Sequence, residues 1–114
     1  MERKYHTLKD FYPYYLTEHS DPVCRATHYI GTTLLFVVVG ASIYFGQAKI
    51  LFLLPVVGYG FAWLGHFVFE KNKPATFQYP FYSLASDFIM YFHFSTGQIT
   101  QKVADAKKTI AMQS

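Results

Sequence analysis

The sequence predicts an all-α protein, a small integral membrane helical bundle with a central transmembrane hairpin and interfacial flanking helices. Three observations predict it. Residues 26–48 and 50–69 contain no Asp, Glu, Lys or Arg, and each stretch has the roughly 20 residues a helix needs to cross about 30 Å of hydrocarbon. The chain is 52 % hydrophobic and 20 % aromatic over 114 residues, more apolar than a soluble core of this size requires. Of its ten basic residues, only Lys49 lies between the two stretches.

The elements follow in order within one membrane domain, residues 1–114. Residues 5–18, "YHTLKDFYPYYLTE", interleave aromatic rings with charges; tyrosine is favoured at a membrane boundary, so this segment reads as an interfacial helix. Residues 22–46 form the first transmembrane helix, started by Pro22 with Ser20 or Asp21 at its N-cap. It begins well inside the chain behind a polar segment, unlike a cleaved signal peptide. Residues 49–70 return as the second arm. Residues 80–96, "PFYSLASDFIMYFHFST", are apolar but interrupted by Asp87 and His93, and read as an interfacial, re-entrant or membrane helix. Residues 97–110 are a C-terminal helix or tail.

Charge sets the orientation. Arg3, Lys4, Lys9, Arg25, Lys71, Lys73, Lys102, Lys107 and Lys108 all lie away from the hairpin turn, which places both termini on the cytoplasmic side by the positive-inside rule. The expected location is the inner membrane in a bacterium, or the endoplasmic reticulum in a eukaryote. A net charge of +3 suits anionic headgroups, and the absence of a basic patch interleaved with stacking aromatics argues against nucleic acid.

Histidines carry the chemistry. With the turn near residue 48, His28 lies 20 residues before it and His66 18 after, so their depths differ by only about 3 Å. His19 sits just ahead of Pro22, at the same end of the hairpin. Ionisable groups at membrane depth are costly and face a partner or a polar cavity, and imidazole is the commonest transition-metal side-chain ligand. The three together form a metal-site pattern. Glu70, four residues after His66, shares its helix face and stands at a helix C-terminus, where the dipole disfavours it; a metal, Lys71 or Lys73 would compensate. His6 is exposed near the terminus, and His93 is balanced between ligand and structural group. Arg25 reads first as a surface ion pair with Glu18 or Asp21, and otherwise as a contact for a substrate carboxylate. Cys24 alone makes neither a disulfide framework nor a zinc motif and reads as an idle thiol. Gly31, Gly40, Gly58, Gly60 and Gly65 read as positions of close helix approach. Imidazole with one carboxylate suits iron(II) or zinc. A bis-histidine haem between His28 and His66 would leave His19 and Glu70 unexplained.

"EHSDPVCRATHYIG", residues 18–31, and "GHFVFEKNKPA", residues 65–75, resemble the 2-hydroxy fatty acid dioxygenase family of fatty acid α-oxidation, which takes phytosphingosine to odd-numbered fatty acids. The family pattern is approximately H-x-x-P-x-N-x-x-x-H followed by G-H-x-x-F-E-x-x-x-P-A. His19, Pro22, His28, Gly65, His66, Phe69, Glu70, Pro74 and Ala75 match it; Cys24 stands where the pattern often has Asn. The intervening region is short, as in compact bacterial members. The resemblance implies an iron(II)-dependent dioxygenase that cleaves a 2-hydroxy fatty acid with O2 to the one-carbon-shorter acid. It implies His19, His28 and His66 as ligands, Glu70 replacing one of them or orienting His66, and Arg25 meeting the substrate carboxylate. Two other classes share parts of the pattern: a non-catalytic lipid-binding or scaffolding hairpin, and a metal-dependent lipid hydrolase, which would need no O2.

Overall fold

The computed structural model describes residues 5–73 and 78–113, so Pro74 and Ala75 of the second motif lie outside the described residues. Those described are all helical apart from short connections: α1 Leu8–Thr17, α2 Pro22–Phe45, a 3-10 segment Ala48–Leu53, α3 Leu54–Leu64, a π-helical turn Gly65–Glu70, α4 Pro80–Ser95 and α5 Ile99–Gln113. The chain forms two compact units. One is Asp21–Lys71; the other joins Met1–Ser20 to Asn72–Ser114.

The Asp21–Lys71 unit is a helical hairpin. Asp21 caps α2, its carboxylate accepting from the N–H groups of Val23 at 2.7 Å and Cys24 at 3.3 Å, and Pro22 opens the helix where a missing N–H costs nothing. The 24 residues of α2 run about 36 Å at 1.5 Å each. Gly46 ends it in the left-handed region at φ 62°, with Gly46 N–H on Ile43 O and Gln47 N–H on Ser42 O. This glycine cap is what lets the chain reverse. The returning arm starts tightly wound, places Pro55 in the first turn of α3, and widens to π geometry at Gly65. It stops at Lys71, which at φ 59° is the non-glycine residue of positive φ among those described.

Two helices here, Pro22–Phe45 and Ala48–Glu70, are long and apolar enough to span a membrane. Their outward side chains are apolar and exposed: Ile43 is 77 % exposed, Phe52 82 % and Val56 65 %. A core helix of a water-soluble bundle would bury such groups, each at a gain of about 1.5–3 kcal/mol. The arms meet over small residues. A Cβ on Gly31 would stand 3.1 Å from Val57 O, and one on Gly65 would stand 2.3 Å from Thr27 Oγ1 and 3.0 Å from Cys24 Sγ. A Cβ on Gly58 would touch Leu35 at ordinary contact distance, whereas one on Gly40 or Gly60 would meet no described atom outside its own stretch of helix within 4 Å. Those two are therefore not approach points, contrary to the sequence expectation.

In the other unit α1 packs on α4 and α5. Thr7 caps α1 by accepting from Asp10 N–H at 3.1 Å. Phe11, Tyr15, Leu16 and Met90 are fully buried, and Tyr5, Tyr14, Tyr79 and Tyr82 surround Phe11 in stacked and tilted ring pairs. At 16 residues, α4 is about 24 Å long, short of the hydrocarbon thickness.

Candidate metal centre

Within the hairpin, three ligand-type side chains converge. Cys24 and His28, one turn apart on α2, share a face; His66 comes from the π turn. All three are buried, at 0, 5 and 2 % exposure, and one ligand atom from each lies within 4.8 Å of the others. The His28 and His66 rings meet edge to face at a centroid distance of 5.0 Å and an angle of 88°. Local structure explains the convergence. Gly65, lacking a Cβ, lets the π turn seat directly on Cys24 and Thr27, and the wide i→i+5 winding redirects His66 where a regular helix would continue; such turns recur at functional sites.

The histidine tautomers follow from their partners. His28 Nδ1 lies 2.8 Å from Cys24 O, and a carbonyl can only accept, so Nδ1 carries the proton and Nε2 the lone pair. Metal-binding histidines are held in this way, one nitrogen donating to a backbone carbonyl while the other ligates. In the other unit His19, 1 % exposed, repeats the arrangement: its Nδ1 lies 2.6 Å from Tyr15 O, and its ring stacks on that of Tyr15 at 4.0 Å. Tyr15 OH in turn donates to Asp87 Oδ1. Burial pushes the Asp87 carboxyl up to about 7, against a smaller opposing pull from the Tyr15 hydroxyl.

Glu70 Oε1 accepts from the backbone N–H of Asp21, joining the end of the π turn to the N-cap of α2. The positive end of α2 thus offers Glu70 a stabilising partner, beside the cations that the sequence points to. Arg25 follows Cys24 on α2, half-buried, and is turned about 100° from the Cys24–His28 face. His93 is elsewhere: its Nδ1 pairs with Tyr12 OH at 2.7 Å, and it lines a cleft of about 530 Å³ with Lys9, Lys102, Leu16 and Ile89. Burial and, secondarily, Lys102 lower its pKa.

Donors in a tetrahedral set on one ion stand about 3.4 Å apart at metal–nitrogen distances near 2.1 Å. A set within 4.8 Å closes on an ion with shifts of up to about 1 Å, and the donor chemistry fits a transition metal: Cys24, His28 and His66 can hold one. Cys24 is the member that sequence reasoning missed. Its signal was present, because a spacing of four from His28 puts both side chains on one helix face.

A family model described as 2-hydroxy-palmitic acid dioxygenase Mpo1-like matches residues 5–99. The chain belongs to this family. The match takes in both histidine motifs and the whole hairpin, so the buried cluster lies inside the segment that makes the chain Mpo1-like. Searches of curated proteins and of solved structures found no match.

Proposed function

We propose that this Mpo1-like chain is an integral membrane, iron(II)-dependent dioxygenase that cleaves a 2-hydroxy fatty acid to the fatty acid one carbon shorter. The observation that carries the reading is the buried pair His28 and His66, at the end of an apolar hairpin, with His28 fixed through Nδ1 in the metal-binding tautomer. His19 completes a set of three imidazoles. It precedes Asp21 by two residues, so the covalent chain alone keeps the two Cα atoms within about 7.6 Å, and its tautomer matches that of His28. Three protein ligands leave positions for a chelating 2-hydroxy carboxylate and for O2. Glu70 serves as the tie between the two ends of the hairpin that carry the histidines.

Iron(II) bound here would supply the O2 activation that closed-shell side chains cannot perform. The chain's own residues supply the rest. Burial of His28 and His66 excludes water and strengthens every charge interaction inside. Arg25, in the first turn of α2, meets the substrate carboxylate, helped by the positive helix end. The exposed apolar hairpin accommodates the acyl tail and opens to lipid, with the Gly46–Lys49 turn on the side away from the cytoplasm. With O2 as sole oxidant, each hydroxy acid consumed yields one shortened acid, one CO2 and one water.

Cys24 favours a second reading. A Cys24 thiolate with His19, His28 and His66 would make a closed, four-coordinate site of the structural zinc type. Cys24→Ala separates the two, since the dioxygenase keeps its metal and the structural site loses it. The direct test is O2 uptake and product chain length with a 2-hydroxy fatty acid and Fe(II) in detergent. Stoichiometric O2 consumption, abolished in His66→Ala, supports the proposal. Turnover that persists without O2, or none with iron bound, overturns it.

A further inference from the structure

Asp87 lies in the middle of α4, far in sequence from either histidine motif, and its position is costly. Its carboxyl, desolvated by burial and bonded to the fully buried Tyr15, loses hydration that a tyrosine hydroxyl only partly replaces. The same face of α4 carries Ser83 and Ser86, spaced with Asp87 and Met90 at i, i+3, i+4 and i+7. Both serines are buried, and their hydroxyls have no hydrogen-bond partner among the described residues. A face selected for packing alone would hold leucine or alanine at these positions. The polar groups are retained at a cost to stability, and such cost is concentrated at functional sites.

The hydrogen bonds say what Asp87 reaches. Its Oδ1 accepts the Tyr15 hydroxyl; the Tyr15 ring lies flat against the His19 imidazole, 4.0 Å between centroids at 28°; and Tyr15 O holds His19 Nδ1 at 2.6 Å. Tyr15 therefore contacts His19 twice, through its carbonyl and through its ring face. The carbonyl is fixed by α1, whereas the ring is anchored through its hydroxyl on Asp87.

We propose that Asp87 is a positioning residue for the metal centre: by anchoring the Tyr15 hydroxyl it locks the ring that orients His19, so that the imidazole presents Nε2 to the metal. This rests on the reading of His19 as a ligand. Outer partners of metal-bound histidines are worth about 10–100-fold in metal affinity, and that is the effect assigned to the Asp87–Tyr15 pair.

The test is anaerobic titration of the full-length protein in detergent with Co(II), read by its visible absorption bands, and with Fe(II) by competition. Tyr15→Phe and Asp87→Leu should each weaken binding about 10–100-fold and alter the Co(II) spectrum. The double variant should be no weaker than either single one, because both remove the same bond. Asp87→Asn keeps an acceptor for the hydroxyl and should restore affinity to within about threefold. Thermal unfolding of each variant without metal separates fold loss from site loss. If the wild type binds and His19→Ala weakens it, but Tyr15→Phe and Asp87→Leu bind normally, the positioning role is overturned and the metal reading stands. If Asp87→Asn binds as poorly as Asp87→Leu, the hydrogen-bond account is also overturned. If the wild type binds neither ion, both fall together.

Discussion

Replacing Gly65 with alanine should damage the metal centre by displacing His66 from α2. The added Cβ would stand 2.3 Å from Thr27 Oγ1, 3.0 Å from Cys24 Sγ and 3.1 Å from Cys24 O. The Thr27 hydroxyl cannot swing away freely, since it donates to Cys24 O at 2.6 Å. Restoring ordinary contact requires the π turn to move off α2 by about 1 Å, and this carries His66 with it. Overpacking of this kind costs about 1–3 kcal/mol, partly offset by the 0.5–1 kcal/mol that alanine gains over glycine in a helix. A net loss of about 1–2 kcal/mol corresponds to a fall in Tm of roughly 5–10 °C for a chain of this size. Metal affinity should fall at least about tenfold, because a 1 Å error is half the length of a metal–nitrogen bond. Gly60→Ala is the internal control: its Cβ would meet no described atom outside its own stretch of helix within 4 Å, so it should melt at or slightly above the wild type and keep its metal. The assay is thermal unfolding in detergent beside metal titration. A Gly65→Ala protein that melts with Gly60→Ala and binds metal as the wild type does would refute the close-approach argument.

Two further outcomes concern Asp87 and Glu70. Asp87 has its pKa raised from 3.8 to about 7, so the folded state holds a proton that the unfolded state releases. The stabilisation is complete below pH 3.8 and is lost as pH rises towards 7, by at most about 4 kcal/mol at 1.4 kcal/mol per unit. Asp87→Asn should flatten that part of the stability profile, and an unchanged profile would contradict the assignment. At Glu70, glutamine keeps the oxygen that accepts Asp21 N–H and should bind metal normally. Alanine should lose about 1–2 kcal/mol through the orphaned donor. Equal loss of metal in both variants would make Glu70 a ligand instead.

The hairpin and the meeting of His28 with His66 were legible because they depend on counting. Charge-free stretches of membrane length fix the arms, and equal distances from a turn place two residues at one depth. Asp21 and Pro22 were legible as a helix start because capping is local. Other features depend on tertiary structure. The π turn has no propensity signature, so the redirection of His66 was invisible. Glu70 was read against its own helix, whereas its partner is the start of α2, 49 residues earlier. Asp87 sits in an apolar run with nothing nearby to announce it, because Tyr15 is 72 residues away. The place of Cys24 beside the histidines was hidden for a different reason: the rule for lone cysteines considers other cysteines, and here the neighbours are histidines.

Metal content decides whether the paired histidines of the hairpin build a metal centre. The detergent-purified protein would be analysed for bound elements beside a His28→Ala/His66→Ala double variant. Close to one iron per chain, absent from the double variant, is the predicted result. No metal in the wild-type protein after anaerobic loading with Fe(II) would contradict it and leave the hairpin as a structural, lipid-facing element.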